Sequence, residues 1–251
     1  MSDARSEDHL SRISTIWTMV FQAHNDDREA VKAAQSVVME RYAGTVYRYL
    51  LRVLGDSHGA DEVFQQFALN FVRGGFRHAD PARGRFRDYL KISLLRLVSD
   101  YRRSRARGGP RLSLSIAEGA GDDPLTEQEV DRELVASIRD ELLSRAWEGL
   151  RAIEDQTGRP LHAVLDCRAR NPNANSMQMA AELTRRLQPE QPFTDAGIRK
   201  TLQRARERFS DLLLHEVVQS LGKFDRDAVE QEMIDLGLHS YCASAFKRRY
   251  E

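Results

Sequence analysis

Apolar residues recur along this chain at spacings of three and four, and no stretch of useful length alternates with the period of two that a half-buried strand requires. Ile13, Ile16, Trp17, Val20 and Phe21 predict a short amphipathic helix over residues 11–23, and Asn25-Asp26-Asp27 breaks it and caps the next. Val31, Ala34, Val37, Val38 and Tyr42 set a second stripe. Val46, Tyr49, Leu50, Val53 and Leu54 continue it past a local irregularity at Gly44-Thr45. Gly55-Asp56-Ser57 predicts a stop, and Gly59-Ala60-Asp61-Glu62 a new start with acids in the first turn, where the helix dipole favours them. That helix has an apolar face of Val63, Phe64, Phe67, Ala68 and Phe71 and a polar face of Asp61, Glu62, Gln65 and Gln66. Gly74-Gly75 ends it, and the turn-rich Asp80-Pro81-Ala82-Arg83-Gly84 leads into a long helix from Phe86 to about Arg105.

The second half of the chain starts with a different texture. Residues 112–133 are acidic and weakly periodic and read as a linker. Helical spacing resumes at Ile138, Leu142, Trp147, Leu150 and Ile153, Thr157-Gly158-Arg159-Pro160 breaks it, and a shorter helix runs from Leu161 to Arg168. After the loop Asn171–Asn175 comes a helix-turn-helix pattern. Ser176 caps a helix with Met179, Ala180, Leu183 and Leu187 inward, residues 188–193 connect, and Thr194-Asp195 caps a second with Ile198, Leu202, Ala205, Phe209 and Leu212 inward. At 100° per residue, Arg199, Lys200, Gln203 and Arg204 fall opposite that stripe, where such side chains can reach bases or phosphates in a major groove. Val229, Met233, Leu236 and Leu238 predict one more helix. The last dozen residues are expected to be loose.

Composition changes this picture only through the distribution of charge. The formal net charge is zero, yet residues 71–111 hold twelve Lys and Arg against three Asp, and the acidic segment after them reverses the sign. Such segregation, with Phe86 and Tyr89 among the arginines, fits a grip on nucleic acid, although the helical phase of both aromatics also suits a core. The opposite charges also allow the acidic segment to pack against the basic helix in the free protein. No apolar run approaches a membrane span and the first thirty residues lack a signal-peptide core, so a cytoplasmic protein is expected. Cys167 and Cys242 lie far apart without metal-ligand spacing and are expected to be ordinary thiols. His58, His78 and His162 are isolated, and no phosphate-binding glycine loop or nucleophile and base pair appears. Neither catalysis, cofactor nor metal is expected.

The order of these parts resembles that of an alternative RNA polymerase sigma factor of the extracytoplasmic-function type, within the sigma-70 superfamily. The resemblance spans about residues 11–238 and is carried by Gly59-Ala60-Asp61-Glu62-Val63-Phe64-Gln65-Gln66-Phe67, similar to the family's core-binding helix, and by the run from Asp80 to Leu90. Trp17-Thr18-Met19-Val20 and the stretch from His215 to Leu221 are similar to a branch with extended N- and C-terminal ends. The resemblance implies an all-α chain of two helical domains joined by an acidic linker: region 2 with an extra N-terminal helix at 11–108, the linker at 109–134, region 4 at 135–215 with its helix-turn-helix at 176–213, and an extension at 216–251.

Function follows as expectation. Asp61, Glu62, Gln65 and Gln66 would face the β′ clamp helices of core RNA polymerase, and region 4 would lie at the β flap. Arg77, Arg83, Arg85, Phe86, Arg87, Tyr89, Lys91, Arg96, Arg102 and Arg103 would meet the −10 element. Strand opening needs charge for phosphates and shaped or aromatic surfaces for an unstacked base. Thr194, Arg199, Lys200, Gln203 and Arg204 would read the −35 element. Asp122, Asp123, Glu127, Glu129 and Asp131 would occupy the path of the nascent RNA, or serve only as a solvated tether. An anti-sigma protein or a regulatory kinase would be a further partner. Two features depart from the family pattern: the turn at 188–193 is longer than usual, and Thr184-Arg185-Arg186-Leu187 stands where a Leu-Gly ending is common. The alternative is a helix-turn-helix regulator independent of polymerase, which leaves the Asp61 face and the arginine-rich loop unexplained.

Overall fold

The structure, a computed structural model, describes residues 28–73, 85–106, 127–221 and 225–250. The predicted helix over 11–23, the arginine-rich turn and most of the acidic segment lie outside them. All regular structure among the described residues is α-helix: α1 Arg28–Leu54, α2 Ser57–Val72, α3 Phe86–Ala106, α4 Glu127–Thr157, α5 Leu161–Arg170, α6 Ser176–Leu187, α7 Asp195–Ser220, α8 Arg226–Asp235 and α9 His239–Tyr250. None of these helices is long and apolar enough to cross a membrane. The described residues divide into two compact units, one drawn from the spans 1–141 and 218–236, the other from 142–217 and 237–251.

In the first unit α1 runs unbroken through Gly44-Thr45, where Thr45 is buried among the apolar positions instead of interrupting them. Val46, Tyr49 and Leu50 of α1, Val63, Phe67 and Phe71 of α2, and Phe86, Leu90 and Leu94 of α3 form its core, each at most 3% exposed. Side chains so buried contribute about 1.5–3 kcal/mol each relative to exposure. Asp56, extended and accepting a hydrogen bond from the Gly59 N–H at 2.7 Å, starts α2 two residues before the predicted point, so Asp61 and Glu62 stand beyond the first turn. Gly59 is therefore inside the helix, and its lack of a side chain has a steric reason: a Cβ there would lie 2.6 Å from the Tyr101 hydroxyl of α3. Arg102 of α3 donates to the Val53 carbonyl at 2.9 Å, satisfying one of the open carbonyls that end α1.

Two longer spans also fold differently from the sequence expectation. α4 begins at Glu127, inside the span read as linker, because Leu134 and Ile138 are buried and Arg52 of α1 donates to Ser137 at 3.1 Å and Asp140 at 3.0 Å. The span read as extension does not form a separate tail: residues 218–236 pack in the first unit, with Val229, Met233 and Leu236 fully buried.

In the second unit α5, α6 and the first turns of α7 close around Ala163, Val164, Cys167, Met179, Ala180, Leu183, Ile198 and Leu202. α6 is capped by Asn175, one residue before the expected Ser176, with a reciprocal capping box to Gln178. The long turn after α6 has its own brace. Gln188 takes the left-handed conformation (φ 46°) and donates its N–H to the Thr184 carbonyl, while the Phe193 N–H donates to Thr184 Oγ1 at 3.0 Å. Thr184 thus does locally what a Leu-Gly ending would do. Trp147 of α4 packs on Phe209 of α7 with ring centroids 5.1 Å apart. The end of the chain, expected to be loose, is helical over α9, because Cys242, Ala245 and Phe246 are buried. Both cysteines are free and buried, and burial pushes the Cys242 thiol up to about 12.

Candidate nucleic-acid interface

In the first unit the α2 helix turns its apolar stripe inward, which leaves Asp61, Glu62, Gln65 and Gln66 exposed along one side. Asp61 accepts a hydrogen bond from the Tyr47 hydroxyl at 2.9 Å, which fixes one end of this polar face and raises the Tyr47 pKa. The same side carries exposed Leu69 and Val72, half or more accessible, so it combines polar and apolar contacts as protein interfaces do.

The basic helix α3 is less uniform than its sequence. Arg77 and Arg83 lie outside the described residues. Phe86, expected at DNA, is 1% exposed and its ring meets that of Tyr42 at 4.9 Å; as folded it is a core residue, because the first apolar position of α3 falls against α1. Tyr89 is half-buried. Arg85 donates to Asp88 at 3.1 Å, to Glu232 of α8 at 2.9 Å and to Asp235, and Arg87 pairs with Glu232 at 3.1 Å and Asp235 at 2.6 Å. Lys91 pairs with Asp131 at the start of α4 at 3.0 Å, one contact of the kind that the opposite charges of helix and acidic segment allow. Arg102 is spent on the α1 terminus, and Arg103 stays on its own helix with Asp100 and Ser99. Arg96 is exposed, with no partner among the described residues.

Electrostatics follow from these contacts. Burial pushes the Glu232 carboxyl above the usual carboxylate range, against the pull of Arg87 and Arg85. Burial would raise Asp235 too, but hydrogen bonds from Arg85 and Gln231 with the charge of Arg87 outweigh it and hold Asp235 below its ordinary value. For Arg85, burial works against the cation, and the hydrogen bonds to Asp235 and Asp88 more than restore it, so its proton is held more tightly than usual.

This bundle of α1, α2 and α3 is what the comparison with protein families recognises. Residues 38–108 match the family model of Sigma-70 region 2. The match runs from the middle of α1 through α3, and so takes in both the exposed α2 face and the basic helix. It supports a place in the sigma-70 superfamily, which is not a class of enzymes, and a sigma-factor role in RNA polymerase binding and promoter melting. No curated protein and no solved structure matches the chain.

In the second unit α6, the braced turn and α7 stand as the predicted pair of helices. Thr194 Oγ1 accepts from the Gly197 N–H at 3.1 Å and caps α7. Ile198, Leu202 and Ala205 point inward, leaving Arg199, Lys200, Gln203 and Arg204 exposed. Arg199 pairs with Asp195 at 2.6 Å and Gln203 donates to Glu207 at 3.0 Å, both within the helix, while Lys200 and Arg204 face solvent. Sequence reasoning missed Glu232 and Asp235. Glu232 sits three residues after Val229 and beside Met233, so a charge interrupts the apolar stripe, and that interruption was the available signal.

Proposed function

We propose that this protein is an alternative sigma factor of the extracytoplasmic-function type, which binds core RNA polymerase, recognises a promoter and opens it at the −10 element. The observation that carries the reading is the α2 face: within the segment matching region 2, Asp61, Glu62, Gln65 and Gln66 are all exposed while their helix neighbours are core. Those four side chains are the contact to the β′ clamp helices. The basic side of α3, with the turn before it, takes the −10 strand, and Arg96 and Arg103 are exposed cations on it. Tyr89, half-buried at the start of α3, is the aromatic placed to meet an unstacked base, whereas Phe86 supports it from the core.

The helix pair α6–α7 serves as region 4 and reads the −35 element, Lys200 and Arg204 supplying charge and Arg199 and Gln203 exchanging their intrahelical partners for DNA. Its other surface meets the β flap. The acidic segment leads toward the RNA path, with Asp131 held at Lys91 in the free protein. An anti-sigma protein or a kinase controls the release of the free chain, which acts in the cytoplasm.

The test is to mix the purified full-length chain with core RNA polymerase and follow co-elution and transcription from a pre-melted promoter. Co-elution and specific transcripts are expected, and failure to bind core refutes the reading. Asp61→Ala with Gln65→Ala is expected to weaken core binding by about tenfold or more, the scale of a small interface hot spot, with an unchanged circular dichroism spectrum.

A further inference from the structure

The arginine-rich start of α3 does not present a net positive surface in this fold. Arg85 and Arg87 bring two guanidinium groups, and Asp88, Glu232 and Asp235 surround them with three carboxylates. Two of those carboxylates come from α8, which lies almost 150 residues further along the chain. Glu232 is 2% exposed and the Arg87 side chain 11%, so the centre of the cluster is buried and this is not a chance surface pairing. α8 is built to stay there. Asp225 caps it, Val229, Met233 and Leu236 anchor it in the core of the first unit, and Gly237 (φ 67°) ends it. Its carboxylate oxygens offer the two guanidinium forks what the oxygens of a nucleic-acid phosphate would offer: paired anionic acceptors at hydrogen-bond distance.

Resting on the reading of the first unit as the −10 DNA-binding part, we infer that α8 is an intramolecular cover for Arg85 and Arg87: its Glu232 and Asp235 occupy the phosphate-binding forks in the free protein and are exchanged for DNA phosphates on promoter opening. Cations already paired with carboxylates release few counterions on meeting DNA, so the cover lowers affinity for non-specific nucleic acid until something displaces it. The bare alternative is that the carboxylates only brace the fold. The two differ at the arginines: a gain in DNA affinity that came only from the general loss of negative charge would survive removal of Arg85 and Arg87, whereas a gain that comes from uncovering them disappears with them.

The experiment uses the full chain with a fluorescein-labelled mixed-sequence single-stranded DNA, titrated at several salt concentrations. Glu232→Gln with Asp235→Asn is expected to bind about tenfold more tightly than wild type. Its dependence of log K on log salt should be steeper by about 1.4, which is about 0.7 for each of two freed guanidinium groups. Adding Arg85→Gln and Arg87→Gln to that variant should remove the gain. Asp235→Asn alone, at a side chain 27% exposed, gives a smaller gain in the same direction and guards against misfolding at the buried position. Unchanged or weaker DNA binding by folded Asp235→Asn and double-variant chains, or a gain that survives loss of the two arginines, overturns the cover. Co-elution of the same chains with core polymerase reads the sigma assignment separately: a chain that gains DNA affinity without binding core keeps the cover and loses that assignment.

Discussion

The two basic surfaces of this protein use the same residue types to different ends. On α3 most cations are engaged: Arg85 and Arg87 with α8, Lys91 with Asp131, Arg102 with the Val53 carbonyl. On α7 the equivalent residues stay at the surface, and the pairs that Arg199 and Gln203 make are contacts one turn away on their own helix, worth only a few tenths of a kcal/mol. Charge counted along a sequence is therefore not charge available to a ligand. Helix α3 is a structural element whose arginines are committed unless a partner replaces their anions, and α7 is an open surface that costs little to engage.

The largest test of this contrast is at Phe86. Phe86→Ala is expected to destabilise the first unit by about 3–5 kcal/mol, the range for emptying a buried aromatic site, read as a shift of the chemical denaturation midpoint. A midpoint within error of wild type would return Phe86 to the surface and to direct DNA contact. On α7, Lys200→Ala with Arg204→Ala should change stability by no more than about 0.5 kcal/mol and make the salt dependence of duplex binding shallower by about 1.8, about 0.9 for each lost phosphate contact. An unchanged slope would remove those two residues from the proposed DNA interface. Gly59→Ala should cost about 1–2 kcal/mol, since the new methyl group meets Tyr101, and Tyr101→Phe in the same chain should recover part of it in a double-mutant cycle. Additive effects would mean that α2 and α3 can separate without cost. At the turn, Gln188→Gly relieves a left-handed side chain and is expected to raise stability by about 1 kcal/mol. A lower melting temperature would show that the Gln188 side chain contributes more than its backbone costs.

Much of the fold was legible because helix periodicity is a local signal. α1, α2, α3, α5, α6 and α7 lie close to where Val46, Phe67, Leu90, Leu161, Leu183 and Ile198 put them. The errors sit where a local cue competed with a distant contact. Gly59 looked like a helix start and is a place of close approach to α3. The segment from Glu127 looked like linker because its surface is acidic, yet Ser137, fully buried, and Asp140 have partners on α1. α9 was hidden because its inward residues, Cys242, Ala245 and Phe246, include only one large apolar side chain. The polar face of α2 could be read directly, since exposed positions follow from phase alone. The closure of Arg85 and Arg87 could not, because its partners come from the far end of the chain and no spacing rule connects them.

The two buried thiols give the second unit a built-in clock. Cys167 lies in the core beneath the α6–α7 pair and Cys242 on α9, and in both burial raises the thiol pKa, so neither offers much thiolate while its helix stays packed. A thiol reagent can then react only as fast as each helix opens, and the two labelling rates time the breathing of the α6–α7 pair and of α9 separately, within one molecule and without an added probe.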